Sequence, residues 1–79
     1  MKTLTQNDIK NHKGISIGDE VHLNDLNGTI VKVVNVQFVF KFGRTDTYID
    51  YQWRTERYPM FQTQNGISLE NFRKLLLDI

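Results

Sequence analysis

The sequence predicts a mainly β domain of the α+β kind, a strongly bent antiparallel sheet of four to five strands with a helix at either end. Three observations point there. The run Gly18–Phe42 is dense in Val and Phe and is broken by the turn-forming cluster Asn24-Asp25-Leu26-Asn27-Gly28. The segment Thr47–Arg54 alternates apolar and polar side chains with a period of two. The last twelve residues switch to a helical period.

The first helix opens at Thr5, a good N-cap, with Asp8 three residues on completing a capping-box pair. Leu4 and Ile9 are spaced as a hydrophobic staple, and Gly14 is a suitable stop. About seven residues of helix result, too few to hold without packing on the sheet. A strand over Ile17–Leu23 sets Ile17, Val21 and Leu23 on one face. Thr29–Val34, nearly all β-branched, is the next strand. Gln37–Phe42 follows, with Phe38, Phe40 and Phe42 on one face. Gly28 to Phe42 is too long for one ordinary strand, so a turn or sharp bend is expected near Asn35.

Gly43-Arg44-Thr45-Asp46 reads as a turn into the strand Thr47–Arg54. There Ile49, Tyr51 and Trp53 oppose Tyr48, Asp50, Gln52 and Arg54. Asn65-Gly66 is a further turn signal, ending a short strand near Met60–Thr63. Ser68 caps the closing helix. Leu69, Phe72, Leu76 and Ile79 form its apolar stripe with Leu75 beside them, and Leu77 falls off it.

Gly18-Asp19-Glu20-Val21-His22-Leu23, followed by Leu26-Asn27-Gly28-Thr29-Ile30-Val31-Lys32-Val33, resembles the KOW-type opening of an SH3-like barrel. In that family a Gly-Asp-x-Val strand leads through a glycine turn into a valine-rich strand. The likeness covers about 25 of the 79 residues and lacks the family's extra glycines between the two strands. It implies an SH3-like barrel that binds RNA, nucleic-acid duplex or protein. The alternative is an α+β sheet with the last helix lying across one face.

Seventy-nine residues make a single small domain, 1–79, with a modest core. The absence of cysteine excludes disulfides and thiolate metal sites. The first ten residues lack the apolar run of a signal peptide, and a cytoplasmic location is expected. Net charge is +1, too small to advertise a nucleic-acid binder, although residues 29–57 carry five basic against three acidic side chains. The content of Asn, Gln, Lys and Ile is similar to that of many phage or mobile-element accessory proteins.

No residue spacing matches a metal-ligand, phosphate-loop or nucleophile motif, so neither an enzyme nor a cofactor is expected. His12 and His22 lie in different elements. Tyr51 and Trp53 share the face of Ile49 and are expected in the core. Arg44, Tyr48, Arg54 and Arg57 are the candidate binding residues. Guanidinium groups take phosphates and an exposed ring stacks on a base. The bland reading of the same set is a solvated strand face with cross-strand ion pairs. An aromatic cage from Tyr48, Trp53 and Tyr58 is a further geometry such barrels use. Leu77 is the candidate contact for a protein partner or for a homodimer through the closing helix.

The function expected is a non-enzymatic binding module for nucleic acid. The alternative is a protein-interaction module, such as a phage-type inhibitor or accessory subunit that blocks a host protein.

Overall fold

A computed structural model describes residues 2–77, in the order β1 (Thr3–Thr5), α1 (Gln6–Lys10), β2 (Glu20–His22), β3 (Ile30–Lys41), β4 (Arg44–Arg54), β5 (Gln62–Ser68) and α2 (Leu69–Leu77). The strands form one mixed sheet in sequence order, and β1 and β5 are its two edges. The sheet is open rather than closed into a barrel, and it is not wholly antiparallel. β1, a strand the sequence did not announce, pairs in parallel with β2.

Asp19 explains that first pairing. Its carboxylate is fully buried and accepts the backbone N–H of Lys2 at 3.0 Å and of Ser16 at 2.8 Å. The Lys2 ammonium lies 3.5 Å away. Burial alone would raise the carboxyl's pKa, but the two N–H groups and the Lys2 charge outweigh it and hold the group below its usual range. The strand expected from Ile17 begins only at Glu20, and Ile17 is exposed.

The capping box at Thr5 and Asp8 is formed in both directions. The Thr5 backbone N–H, then the Lys13 ammonium, draw the Asp8 carboxyl below its usual pKa. α1 has five residues and closes at Asn11, short of Gly14. Ser68 caps α2, its hydroxyl accepting the Asn71 N–H at 3.2 Å. Gln6 ties the pieces together. Its amide donates to the Leu76 carbonyl at 2.7 Å, and its oxygen accepts the Asn24 N–H at 3.0 Å.

The core gathers Leu4, Ile9, Val21, Leu23, Val31, Val33, Ile49, Tyr51, Phe72 and Leu76 between one face of the sheet and the helices. Tyr51 and Phe72 meet ring to ring at 5.2 Å. Ile79, which would complete the α2 stripe, lies outside the described residues.

Two sites expected to turn or bend carry bulges within strands. Near Asn35 the chain does not reverse: β3 is one strand of 12 residues, with a register shift between Val33 and Asn35. Asn65-Gly66 lies within β5, where two residues oppose Asp50 alone. Gly66 has φ of 73° and donates its N–H to the Asp50 carboxylate at 2.7 Å. The turn expected over Gly43–Asp46 is tighter and earlier. Lys41 pairs with Arg44, leaving Phe42-Gly43 as a two-residue loop, both at positive φ (51° and 76°). That is the backbone of a type I′ hairpin, whose twist suits the strands it joins.

Candidate interaction surface

β3 and β4 outrun the rest of the sheet. β2 leaves β3 after Lys32, and β5 pairs with β4 no further than Tyr48. The remaining hairpin projects as an arm, and the molecule measures 43 × 25 × 23 Å. Val31 and Val33 face the core. The bulge inserts one residue, so Val36 falls back on the same side, opposite Ile49. Phe38 and Phe40 continue that face, opposite Thr47 and Thr45, beyond the core they would otherwise join. They are 72% and 73% exposed, and Phe42 at the tip is 99% exposed.

Phe42 is an unusual occupant of its position. A type I′ turn requires φ > 0 at both loop residues, which favours Asn or Asp before Gly. A bulky side chain there is strained, by about 1–2 kcal/mol for a left-handed residue other than Gly or Asn. The chain holds its most exposed phenylalanine at a backbone position that resists it.

The other face of the arm carries the sequence-predicted contacts. Arg44, Tyr48 and Arg54 share it along β4, but Asp46 and Asp50 alternate with them. At about 3.3 Å per residue, Arg44 and Arg54 stand roughly 33 Å apart. Arg44 is paired with Asp46 at 3.2 Å. The Arg54 guanidinium packs 5.4 Å over the Phe61 ring, its Nε buried without a hydrogen-bond partner. Arg57, in the loop after β4, lies 5.6 Å over Tyr58. Arg54 and Arg57 make no ion pair among the described residues. These four side chains form a dispersed row interrupted by acids, not one basic patch.

Tyr48 and Trp53 lie on opposite faces of β4, so no cage forms with Tyr58. Tyr51 is buried, and that burial raises its phenol pKa. Trp53 is not the core residue expected; it is 37% exposed at the sheet margin. It lines an apolar groove of about 460 Å³ with Tyr51, Leu75, Leu76 and Val31. Asp25 stands at its rim, its carboxyl lowered by hydrogen bonds from the Thr29 hydroxyl (2.6 Å) and N–H (2.9 Å). A second hollow of about 370 Å³ at the root of the arm is lined by Arg44, Tyr48, Glu70 and Arg73.

Leu77 is exposed on the last turn of α2, beside the exposed Leu75. No cluster of three His or carboxylate groups able to hold a metal ion occurs among the described residues. No helix there is long and apolar enough to cross a membrane.

The arm's aromatic row was visible in the sequence as three phenylalanines on one face, but it was not among the candidate binding residues. The overlooked signal is Phe42-Gly43, a hairpin loop whose first residue is neither Asn nor Asp. No protein-family model, curated protein or solved structure matches this chain.

Proposed function

We propose that this chain is a non-enzymatic protein-interaction module that grips its partner with the aromatic face of the β3–β4 arm. Phe38, Phe40 and Phe42 are the anchors, and one observation carries the reading: a fully exposed phenylalanine is kept in a left-handed turn position. Aromatic residues, Phe among them, are enriched at the buried centres of protein interfaces, where truncating an anchor costs about 2 kcal/mol or more. A small body bearing one projecting element suits an inhibitor or accessory subunit that blocks a site on another protein. The cysteine-free composition suits a cytoplasmic setting.

The KOW-type, SH3-like likeness of Gly18–Val33 agrees with a binding role. The test is capture with the immobilised chain, comparing it with Phe40→Ser and with an Arg54→Ala/Arg57→Ala variant. A partner lost with the first variant and kept with the second supports the arm. The reverse pattern removes it.

A second reading is nucleic-acid binding through Arg44, Tyr48, Arg54 and Arg57. It is favoured by Arg54 and Arg57 lying outside ion pairs among the described residues. Its mark is micromolar anisotropy binding to random-sequence RNA or DNA that falls steeply with salt and weakens in the double arginine variant.

A further inference from the structure

The arm has a backbone edge as well as an aromatic face. In an antiparallel ladder, successive residues turn their N–H and C=O groups alternately toward one neighbouring strand and the other. Lys41 and Arg44 close the two-residue loop and exchange their bonds inside the hairpin. Val39 and Gln37 therefore bond inward to β4, and Phe40, Phe38 and Val36 point their backbone groups outward. The same parity is seen before the bulge at Val33. Its N–H donates to the Asp19 carbonyl and its carbonyl accepts the Gly18 N–H, both at 2.8 Å on the β2 side. Beyond Val33 no strand among the described residues pairs with this edge. Its sequence, Val-Gln-Phe-Val-Phe from Val36 to Phe40, has no proline and no charge to blunt it.

From this edge we infer that two copies of the chain join arm to arm, β3 against β3 in antiparallel, about a two-fold axis through Phe38. The edge is self-complementary in that one register. Phe38 faces Phe38 of the second copy, and Val36 faces Phe40, so the residues with outward backbone groups meet one another. Apolar side chains adjoin apolar side chains on one face. On the other, Lys41 falls opposite Asn35, and the two Lys41 ammonium groups stand roughly 20 Å apart along the ladder. No like charges oppose each other, and a net charge of +1 adds little long-range repulsion.

Through this edge the association closes at two, because one β3 edge consumes the other. The free part of β4 is only Arg44–Thr47, too short to recruit a third copy. A ladder this short covers less than about 1,200 Å² in total, the range of weak, transient contacts. The dimer is therefore concentration-dependent. It sets two phenylalanine rows side by side on one doubled face.

The inference concerns the same arm as the protein-interaction reading but uses its edge, so the two fail separately. The chain has no cysteine, and a single introduced thiol reports cleanly. Hydrogen-bonded antiparallel partners have Cα atoms about 5.5 Å apart, within disulfide reach. Under mild oxidation, Phe38→Cys is expected to convert largely to a covalent dimer at concentrations where Lys41→Cys and Leu77→Cys stay monomeric. Sedimentation equilibrium of the unsubstituted chain should show its mass approaching double from micromolar to millimolar concentration. Phe38→Lys sets like charges on the axis and should weaken dimerisation at least tenfold, and mixing it with Phe38→Glu should restore a dimer. A monomer at every concentration, or equal cross-linking at positions 38, 41 and 77, overturns the inference. Partner capture that still depends on Phe40 in a strictly monomeric chain would leave the protein-interaction reading in place.

Discussion

The Asp19 carboxylate holds the backbone N–H of Lys2 at 3.0 Å while the ammonium of the same lysine lies 3.5 Å away. One buried acid thereby fixes both the backbone and the charge of the residue that leads into β1. Asp19→Asn keeps the shape but loses the charge and sets an amide against N–H donors. It should cost about 1.5–3 kcal/mol, the range for hydrogen bonds to a charged group, read from urea unfolding at pH 7. Equal stability of the two proteins would show that β1 is held by other means.

Acid should unfold this protein in a manner traceable to the same group. The Asp19 carboxyl has a lower pKa folded than unfolded, so its contribution is fully present above the unfolded value of about 3.9. It is lost as pH falls through the folded value. Asp8 and Asp25, both lowered by their hydrogen bonds, act with the same sign. Urea midpoints taken from pH 6 down to pH 2 should fall less steeply for Asp19→Asn than for the unsubstituted chain.

Gly28 sits at φ of 60°, and a Cβ there would lie 2.8 Å from Cγ of Glu56. The Glu56 side chain can swing aside, so backbone strain is the larger part of the cost. Gly28→Ala should destabilise by about 1–2 kcal/mol, the penalty for a left-handed residue. Gly43→Ala, where a Cβ meets nothing, isolates that strain without the contact. A smaller loss at Gly43 than at Gly28 assigns the difference to Glu56.

Replacing Phe42 should separate stability from function. Phe42→Asn installs the residue a type I′ turn prefers and should stabilise the fold by about 0.5–1 kcal/mol in thermal unfolding. The same change should weaken partner capture by the arm. Capture unchanged or strengthened in this variant would mean that the ring is not held there for contact.

The elements legible in the sequence were those whose signals are local. The Thr5–Asp8 capping box, the Ser68 cap and the period-two alternation of Ile49, Tyr51 and Trp53 all depend on neighbours in the chain. The errors are non-local. β1 has three residues and exists through Asp19, which is 17 positions from Lys2. Asn65-Gly66 carries a genuine left-handed glycine, but Asp50 on the facing strand turns it into a bulge. Trp53 has the parity of a core residue, yet it stands at the sheet margin, sharing an open groove with Leu75 and Leu76. Of the candidate site, the positions of Arg44, Tyr48 and Arg54 on one face followed from alternation. Their neutralising partners and stacking rings depended on the register and loop path. The phenylalanine row was legible as a face, and only the reach of β2, β5 and α2 could show that no element among the described residues lies over it.

The bulge at Val34 gives the long hairpin something like a reading frame. Before it the buried positions are odd-numbered, Val31 and Val33; after it the same side is taken by even-numbered Val36, Phe38 and Phe40. Removing Val34 would erase the bulge and keep Val36, Phe38 and Phe40 on their side, whereas removing one residue beyond it would turn the rings to the opposite face. Adding or removing residues in matched pairs beyond it would instead change the arm's reach by whole steps without changing what it presents. The arm is thus an adjustable lever on a fixed body, open to variation in length but not in phase.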